Sequence, residues 1–553
     1  MSILLALTLV PAASADSSGV SGKSSLKSTA PHVAEAKIDA KLQTQFKQDD
    51  FVTYLVKLKE QTDTASVAKL ALQKATLEKA TPSAAKLSAR TSVVSALRET
   101  ASRTQFALED YLQKAQQSGN VKDYKSYFIV NAMAVTSTKE VLEQIALFPE
   151  VEKILPNEER HLQKVEIHKE PATLPVEETP SAKPADGKAS SLDGASKDPT
   201  KVTPSSVEWN IAQVNAPEVW NMGIDGTGIV VANLDTGVEL NHPALRSKWR
   251  GFDASGNIVD PELSWYDPHS HASLPTDGHG HGTHTMGTMV GSEPDGSNQI
   301  GVAPGAKWIA VRIFNPSTTD AIILDGGQWL LAPVDSEGNL HPELAPDVVN
   351  NSWGGGPGID EWFRPIVQAW RSAQIFPEFS AGNVDEFNPG GPGSVAAPAN
   401  YPEAFATGAT DINGNLADFS LRGPSPYDEI KPEVSAPGVN IRSSVPGGVY
   451  EGGWDGHLDG GSAYDGDRRP AAAGEPLPHG RPAGGYPDQH GYASDGQRIS
   501  HDAQQWVRKR DRECVGCRRL RPARGRHRFR ARSHRRRGPG RAGFGTYATY
   551  FSI

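Results

Sequence analysis

The histidines in TDGHGHGTHTMGTMV, residues 276–290, have the surroundings of a catalytic base. His281 and His284 stand among Gly and Thr in what reads as a turn feeding the first turns of a helix. Small residues let other backbone approach an imidazole closely, which is how a proton-accepting histidine is seated. Upstream, GIVVANLDTGVELNHPAL (228–245) carries a continuous apolar run that ends on Asp235, followed by Thr236 and Gly237. Such a run is expected of a parallel strand buried on both faces. Its carboxylate would then sit at the C-terminal end, where open α/β sheets place their sites. Asp first and His about 45 residues later is the chain order of one convergent form of the Ser-His-Asp triad.

Further along, NNSWGGG (350–356) and FSAGN (379–383) complete a set of motifs that resembles the subtilisin family of serine proteases over residues 207–456. The resemblance implies an α/β fold, a subtilisin-like parallel sheet with helices on both faces. Carried over residue by residue, it makes Asp235 the aspartate of the DTG motif and His281 the general base. Asn383 becomes the oxyanion-hole donor. Ser352, Trp353 and Gly354 line the substrate cleft, where a polypeptide would lie as an added strand. Asp235 would fix the tautomer of His281 while His281 takes the proton of a serine hydroxyl. His284 is left a structural role, because one imidazole suffices. The chemistry needs no cofactor; calcium on surface loops accompanies the family, but no residues here place its ligands. A zinc reading of Asp267, His269, His271, Asp277, His279 and His281 matches no standard ligand spacing and leaves the DTG and FSAGN motifs unexplained.

The family's nucleophile, in a GTSMAAPH segment that opens a buried helix, should follow KPEVSAPGVNIRSSVPGGVYEGGWDG (431–456). The chain continues instead with HLDGGSAYDGDRRPAAAGEPLPHG, in which Ser462 lies between Gly461 and Ala463 with no helical pattern after it. No nucleophile is assigned. The genetic code accounts for the gap. Synonymous codons exist for residues 456–479 that, read one base later, spell GTSMAAPHMTGTAALLLQANPSLT, the missing segment and its helix. A one-base insertion at or near the Gly456 codon, in the gene or in its sequencing, would put everything after it out of frame. The nucleophile's codon would then straddle those of Leu458 and Asp459. Composition agrees: the last 97 residues hold about twenty Arg against one Lys, Lys509, together with both cysteines, Cys514 and Cys517. RRLRPARGRHRFRARSHRRR (518–537) has the form of a nucleic-acid-binding arm, and CVGC (514–517) that of half a zinc site. A single CxxC lacks its second pair, and both motifs vanish if the frame shifted. The tail, 457–553, is expected to be disordered.

The elements that must hold the motifs follow from the rest of the chain. Its 553 residues suffice for two or three domains, and a net charge of −9 gives no reason to expect nucleic acid. MSILLALTLVPAASA (1–15) reads as a signal peptide, a short apolar core ending on Ala13-Ser14-Ala15, with a lead-in over 16–48. No other run reaches 18 apolar residues, so no membrane span is expected, and a cysteine-free body suits a secreted bacterial enzyme. FVTYLVKLK (51–59), YFIVNAMAVTST (127–138) and VEKILPN (151–157) read as strands and KEVLEQIALF (139–148) as an amphipathic helix. Residues 64–118 are helix formers broken only by Pro82. Together, 49–160 resemble the small α+β propeptide, of the inhibitor I9 type, that precedes subtilase domains and occupies the cleft until it is cut off. Residues 161–205, rich in Pro, Glu, Lys, Ser and Ala, cannot bury enough surface to offset their ordering entropy, so a flexible linker and a processing site are expected there. From 206 to 456, strand candidates at 228–235, 307–314, 346–353, 375–382 and 403–409 alternate with helical stretches, the pattern of a parallel sheet. Trp362, Ile366 and Trp370 share one helical face in 360–374, placed for core packing.

The whole points to a secreted, monomeric, propeptide-bearing serine endopeptidase that lacks its nucleophile as written. Its partners would be polypeptide substrates and its own propeptide, with no nucleic acid and no membrane. The rival from another class is a non-catalytic pseudoprotease or peptide-binding module that keeps the cleft.

Overall fold

The computed structural model describes residues 34–162, 166–167, 207–385 and 388–456. The expected signal peptide (1–15), most of the expected linker (161–205) and the expected out-of-frame tail (457–553) lie outside these residues. In the N-terminal unit α1 (Ala40–Gln45), β1 (Val52–Leu58), α2 (Thr64–Leu77), α3 (Pro82–Gln117), β2 (Val121–Tyr127), β3 (Ala132–Ser137), α4 (Lys139–Ile145) and β4 (Val151–Pro156) follow one another. The strands form an antiparallel sheet in the order β2-β3-β1-β4. Pro82 does not interrupt one helix but starts the second. It takes the first helical position, where its missing N–H would be unsatisfied anyway, and Thr81 Oγ1 accepts from the Ala84 amide at 3.3 Å.

The expected strand over 127–138 is two pieces. Tyr127 ends β2, and Phe128 to Asn131 turn the chain, with Asn131 left-handed at φ 42°, before β3 begins. The apolar run Phe128-Ile129-Val130 reads as strand because it is apolar, yet its partner is another part of the molecule. Ile129 and Val130 are buried in a cluster shared with the C-terminal unit. Gln328 Oε1 accepts from the amides of Phe128 at 2.7 Å and Ile129 at 3.2 Å. β2 was hidden for the opposite reason: VKDYKSY is mostly solvent-facing and has no apolar period to show.

Beyond β4 the chain forms β5 (Glu159–His161) and β6 (Glu166–Ile167), so the first residues of the expected linker belong to the ordered body. The C-terminal unit contributes α5 (Trp209–Gln213), α6 (Ala216–Asn221), β7 (Val230–Asp235), β8 (Trp265–Tyr266), α7 (His281–Val290), β9 (Lys307–Arg312), β10 (Ser317–Thr319) and α8 (Asp320–Leu331). Then come β11 (Val348–Asn351), α9 (Arg364–Ser372), β12 (Phe376–Ser380), β13 (Phe405–Thr410), β14 (Val434–Pro437), β15 (Ile441–Val445) and β16 (Val449–Asp455). Seven strands make one parallel sheet in the order β14-β13-β12-β11-β7-β9-β8. Successive residues of β7 explain why its sequence is apolar throughout. Val231 joins the cluster holding Met286, Met289 and Val290 of α7, while Ala232 and Leu234 join the one holding Ile323 and Leu324 of α8 and Ile366 and Trp370 of α9. The sheet therefore carries helices on both faces.

Three loops repeat one turn. In Asp253–Asn257, Asp335–Asn339 and Asp411–Asn415 the Asp side chain accepts from the amides two and four residues on and from the Asn side-chain amide. Flanking residues bridge across each turn, Phe252 with Ile258, Val334 with Leu340 and Thr410 with Leu416. The glycine before the Asn has positive φ in all three, which an L side chain rarely adopts. Among the described residues no helix is long and apolar enough to cross a membrane.

Candidate active site

Asp235 closes β7 at its C-terminal end and is buried, as is His281, the first residue of α7. His281 Nδ1 lies 2.6 Å from Asp235 Oδ1, which also accepts from the Thr236 amide at 2.6 Å. The approach of α7 to β7 requires glycine: a Cβ on Gly282 would meet the Gly237 carbonyl oxygen at 2.1 Å. Asn233, one pleat before Asp235, fastens the same two elements. Its Nδ2 donates to the Gly282 carbonyl at 3.0 Å and to Thr285 Oγ1 at 2.7 Å. Asn350 Nδ2 donates in turn to Asn233 Oδ1 and to Ser352 Oγ, both at 3.0 Å. A buried polar chain thus runs from the histidine helix to the start of the SWGGG loop.

Asp277 orders the turn that delivers His281. Its Oδ1 accepts from the amides of His279 at 2.9 Å and Gly280 at 2.8 Å and from Thr236 Oγ1 at 3.1 Å. Its Oδ2 accepts from the Thr283 amide at 2.9 Å and the Thr283 hydroxyl at 2.6 Å. An acceptor with charge at a helix N-terminus satisfies otherwise orphaned donors and opposes the helix dipole. Motif spacing gives Asp277 no such role; the sign in the sequence is an Asp six residues before Thr283.

The zinc reading fails on these partners. Asp267 pairs with Arg312 Nη2 at 2.6 Å and accepts from Ser270 Oγ at 2.6 Å, and a His269 ring nitrogen lies 2.7 Å from the Ile313 carbonyl oxygen. Among the described residues no three His, Cys, Asp or Glu side chains gather as a metal group. His284 lies behind His281, its ring stacked on Trp454 with centroids 4.2 Å apart.

Asn383 follows β12 at the same end of the sheet, its backbone bridged to Ser420. Ser352 is buried, and the Trp353 indole packs between the rings of Phe363 and Phe379 at 5.4 and 5.7 Å. Only the backbone of Trp353 is thus left to line a cleft.

The strand that the structure does add is β5. It runs antiparallel to β10, with His161 opposite Ser317, Arg160 opposite Thr318 and Glu159 opposite Thr319. The segment before it caps α8: Asp320 donates its amide to the Glu158 carbonyl at 3.1 Å and Ala321 to Asn157 Oδ1 at 2.9 Å. A piece of the N-terminal unit therefore pairs with a short strand of the C-terminal unit, β10, as an extended peptide would.

Residues 226–466 match the model of the subtilase family, and residues 53–163 match that of peptidase inhibitor I9. Bacillopeptidase F of Bacillus subtilis (strain 168) is 52% identical over 457 residues, 82% of this chain but 30% of that protein. The alkaline protease of Alkalihalobacillus alcalophilus is 31% identical over 336 residues, 60% of this chain and 77% of its own. Subtilisin Savinase of Lederbergia lenta is 32% identical over 247 residues, 44% of this chain and 77% of its own. The chain thus spans under a third of the first of these relatives and about three quarters of the other two.

Proposed function

Because the chain belongs to the subtilase family and carries an I9-type inhibitor unit ahead of it, we propose that it is the proenzyme of a secreted, monomeric serine endopeptidase that has lost its nucleophile to a shifted reading frame. The observation that carries this reading is the buried pair at the end of β7, Asp235 Oδ1 and His281 Nδ1 at 2.6 Å. With Nδ1 committed to the carboxylate, proton transfer falls to Nε2, which would take the hydroxyl proton of a serine and return it to the leaving amine. The charge on Asp235 stabilises the imidazolium formed between those two transfers. Asn383 donates to the oxyanion of the tetrahedral intermediate, a contact that contributes about 3 to 4 kcal/mol in sites of this type. Ser352, Trp353 and Gly354 form one wall of the cleft through their backbone, and β10 forms another. No cofactor takes part in these steps, and polypeptides are the substrates.

As translated, the chain can bind but not acylate. A fluorophosphonate probe is expected to leave it unlabelled. Deleting one base at the Gly456 codon should give a chain that labels, and His281→Ala should abolish the labelling. A folded, frame-restored chain that stays unlabelled would favour the peptide-binding reading. A gene whose shifted frame has no serine codon across Leu458 and Asp459 would end the proposal outright.

A further inference from the structure

Arg160 is the side chain through which β5 is read. Opposite Thr318 in the antiparallel register, it sends its guanidinium to Asp320, Nε to Oδ1 at 2.8 Å and Nη2 to Oδ2 at 3.2 Å. That is the two-point geometry of arginine with a carboxylate, which a lysine cannot reproduce. The surroundings complete a pocket: the guanidinium carbon lies 5.8 Å from the centre of the Phe363 ring, and Gly355, within the SWGGG stretch, would bring a Cβ within 3.8 Å of Nη1. Asp320 belongs to the C-terminal unit, its side chain only 4% exposed, and Arg160 is the cation it pairs with among the described residues. Burial raises the pKa of its carboxyl above the ordinary value, and the bond from Arg160 pulls the other way.

We infer that Asp320 is a specificity-determining residue that selects arginine in a bound polypeptide, at the position of the extended chain that pairs with Thr318. The inference rests on the reading of β10 as a wall of the substrate cleft. Its physical ground is the state left when the N-terminal segment departs. Asp320 is then a carboxylate without its counter-ion, and the amides of Asp320 and Ala321 lose the acceptors Glu158 and Asn157 provide. An incoming peptide with arginine in register restores the ion pair. One with leucine extends the sheet but leaves the charge buried and unpaired, the arrangement that is strongly unfavourable.

The test uses the full chain bearing Arg160→Glu, which sets like charges together and drives its own strand off β10. A fluorescein-labelled peptide of sequence NEERHLQ, residues 157–163, is then titrated, alongside versions with Lys or Leu in place of the arginine. Anisotropy should show the arginine peptide binding roughly tenfold or more tighter than the leucine peptide, with lysine between them. Asp320→Asn in the same background should bring the three to within about twofold of one another. A leucine peptide that binds as well as the arginine peptide, or a preference that survives Asp320→Asn, overturns the inference while leaving the cleft intact. Failure of every peptide overturns the cleft reading and the inference with it. Amide hydrogen exchange on the otherwise unmodified chain gives an independent readout. Exchange at Thr318 to Ala321 should quicken in Arg160→Leu and in Asp320→Asn, with little further gain in the double variant; unchanged or slower exchange in Arg160→Leu contradicts the inference.

Discussion

Glu378 is a carboxyl group sealed within β12, in register with Asn350 on one side and Phe405 on the other. Burial pushes its pKa up to about 8 from an ordinary value of 4.5. The folded chain therefore holds a proton that the unfolded chain has released, so Glu378 makes stability fall as pH rises from about 4.5 to about 8, then level off. Glu378→Gln should flatten that fall. Urea midpoints at pH 5 and pH 8.5 are expected to lie closer together in the variant than in the parent, and an unchanged gap would show that another group governs the slope. Single residues were unevenly legible in the sequence. The DTG and HGTH motifs are short, and each chemistry-bearing residue sits beside the glycines that let its element close in, so the pairing of Asp235 with His281 can be read from neighbours alone. Asn233, Asp277 and Asp320 escape such reading because their partners lie 49, 6 and 160 residues away and are often backbone atoms. Trp353 escapes for the reverse reason, since a motif match fixes where its backbone runs but not which way the indole turns.

At the scale of elements, α7 depends on a carboxylate that precedes it. Asp277→Ala would strip acceptors from four amide or hydroxyl donors around the helix start and from the Thr236 hydroxyl. A loss of about 2 kcal/mol is expected in chemical denaturation, in line with removal of a strong helix cap, and Asp277→Asn should recover part of it. A variant as stable as the parent would mean that β7 and β15 hold the helix unaided. The contribution of β15 is visible in Ser443 and Ser444, whose hydroxyls donate at 2.8 Å to the carbonyls of His284 and Thr283. The five strands foreseen in the C-terminal unit are long, apolar and covered on both faces, and the structure shortens them by one to four residues each. The shorter elements were not foreseen. β8 and β10 have two and three residues, too few for a period to emerge, and in the β15–β16 hairpin the first strand is buried almost throughout while the second carries two glycines, so neither alternates exposed with buried positions.

Across the molecule the two units are bound more intimately than a regulatory domain on a linker requires. Arg90 of α3 is buried, and its guanidinium donates to the carbonyls of Ala345 at 2.7 Å and Ala373 at 3.1 Å and to that of Pro346. Lys86 pairs with Asp347, whose other oxygen accepts the Val230 amide of β7 at 2.9 Å. Arg90→Ala leaves three carbonyls without their donor and should lower the stability of the full chain by about 3 kcal/mol in denaturant, with Arg90→Lys intermediate; a loss under about 1 kcal/mol would show that water replaces the side chain easily. The propeptide's existence was legible from its strand and helix pattern, whereas this contact was not, because α3 carries Arg90 amid ordinary helix formers. Most telling is the apolar cluster that takes Leu55, Val93, Val94, Leu97, Ile129 and Val130 from one unit and Leu234, Ile309, Leu330 and Trp370 from the other. Neither half can desert the other without wetting its own interior. Cutting the peptide chain between them would therefore leave the two halves held together as one complex.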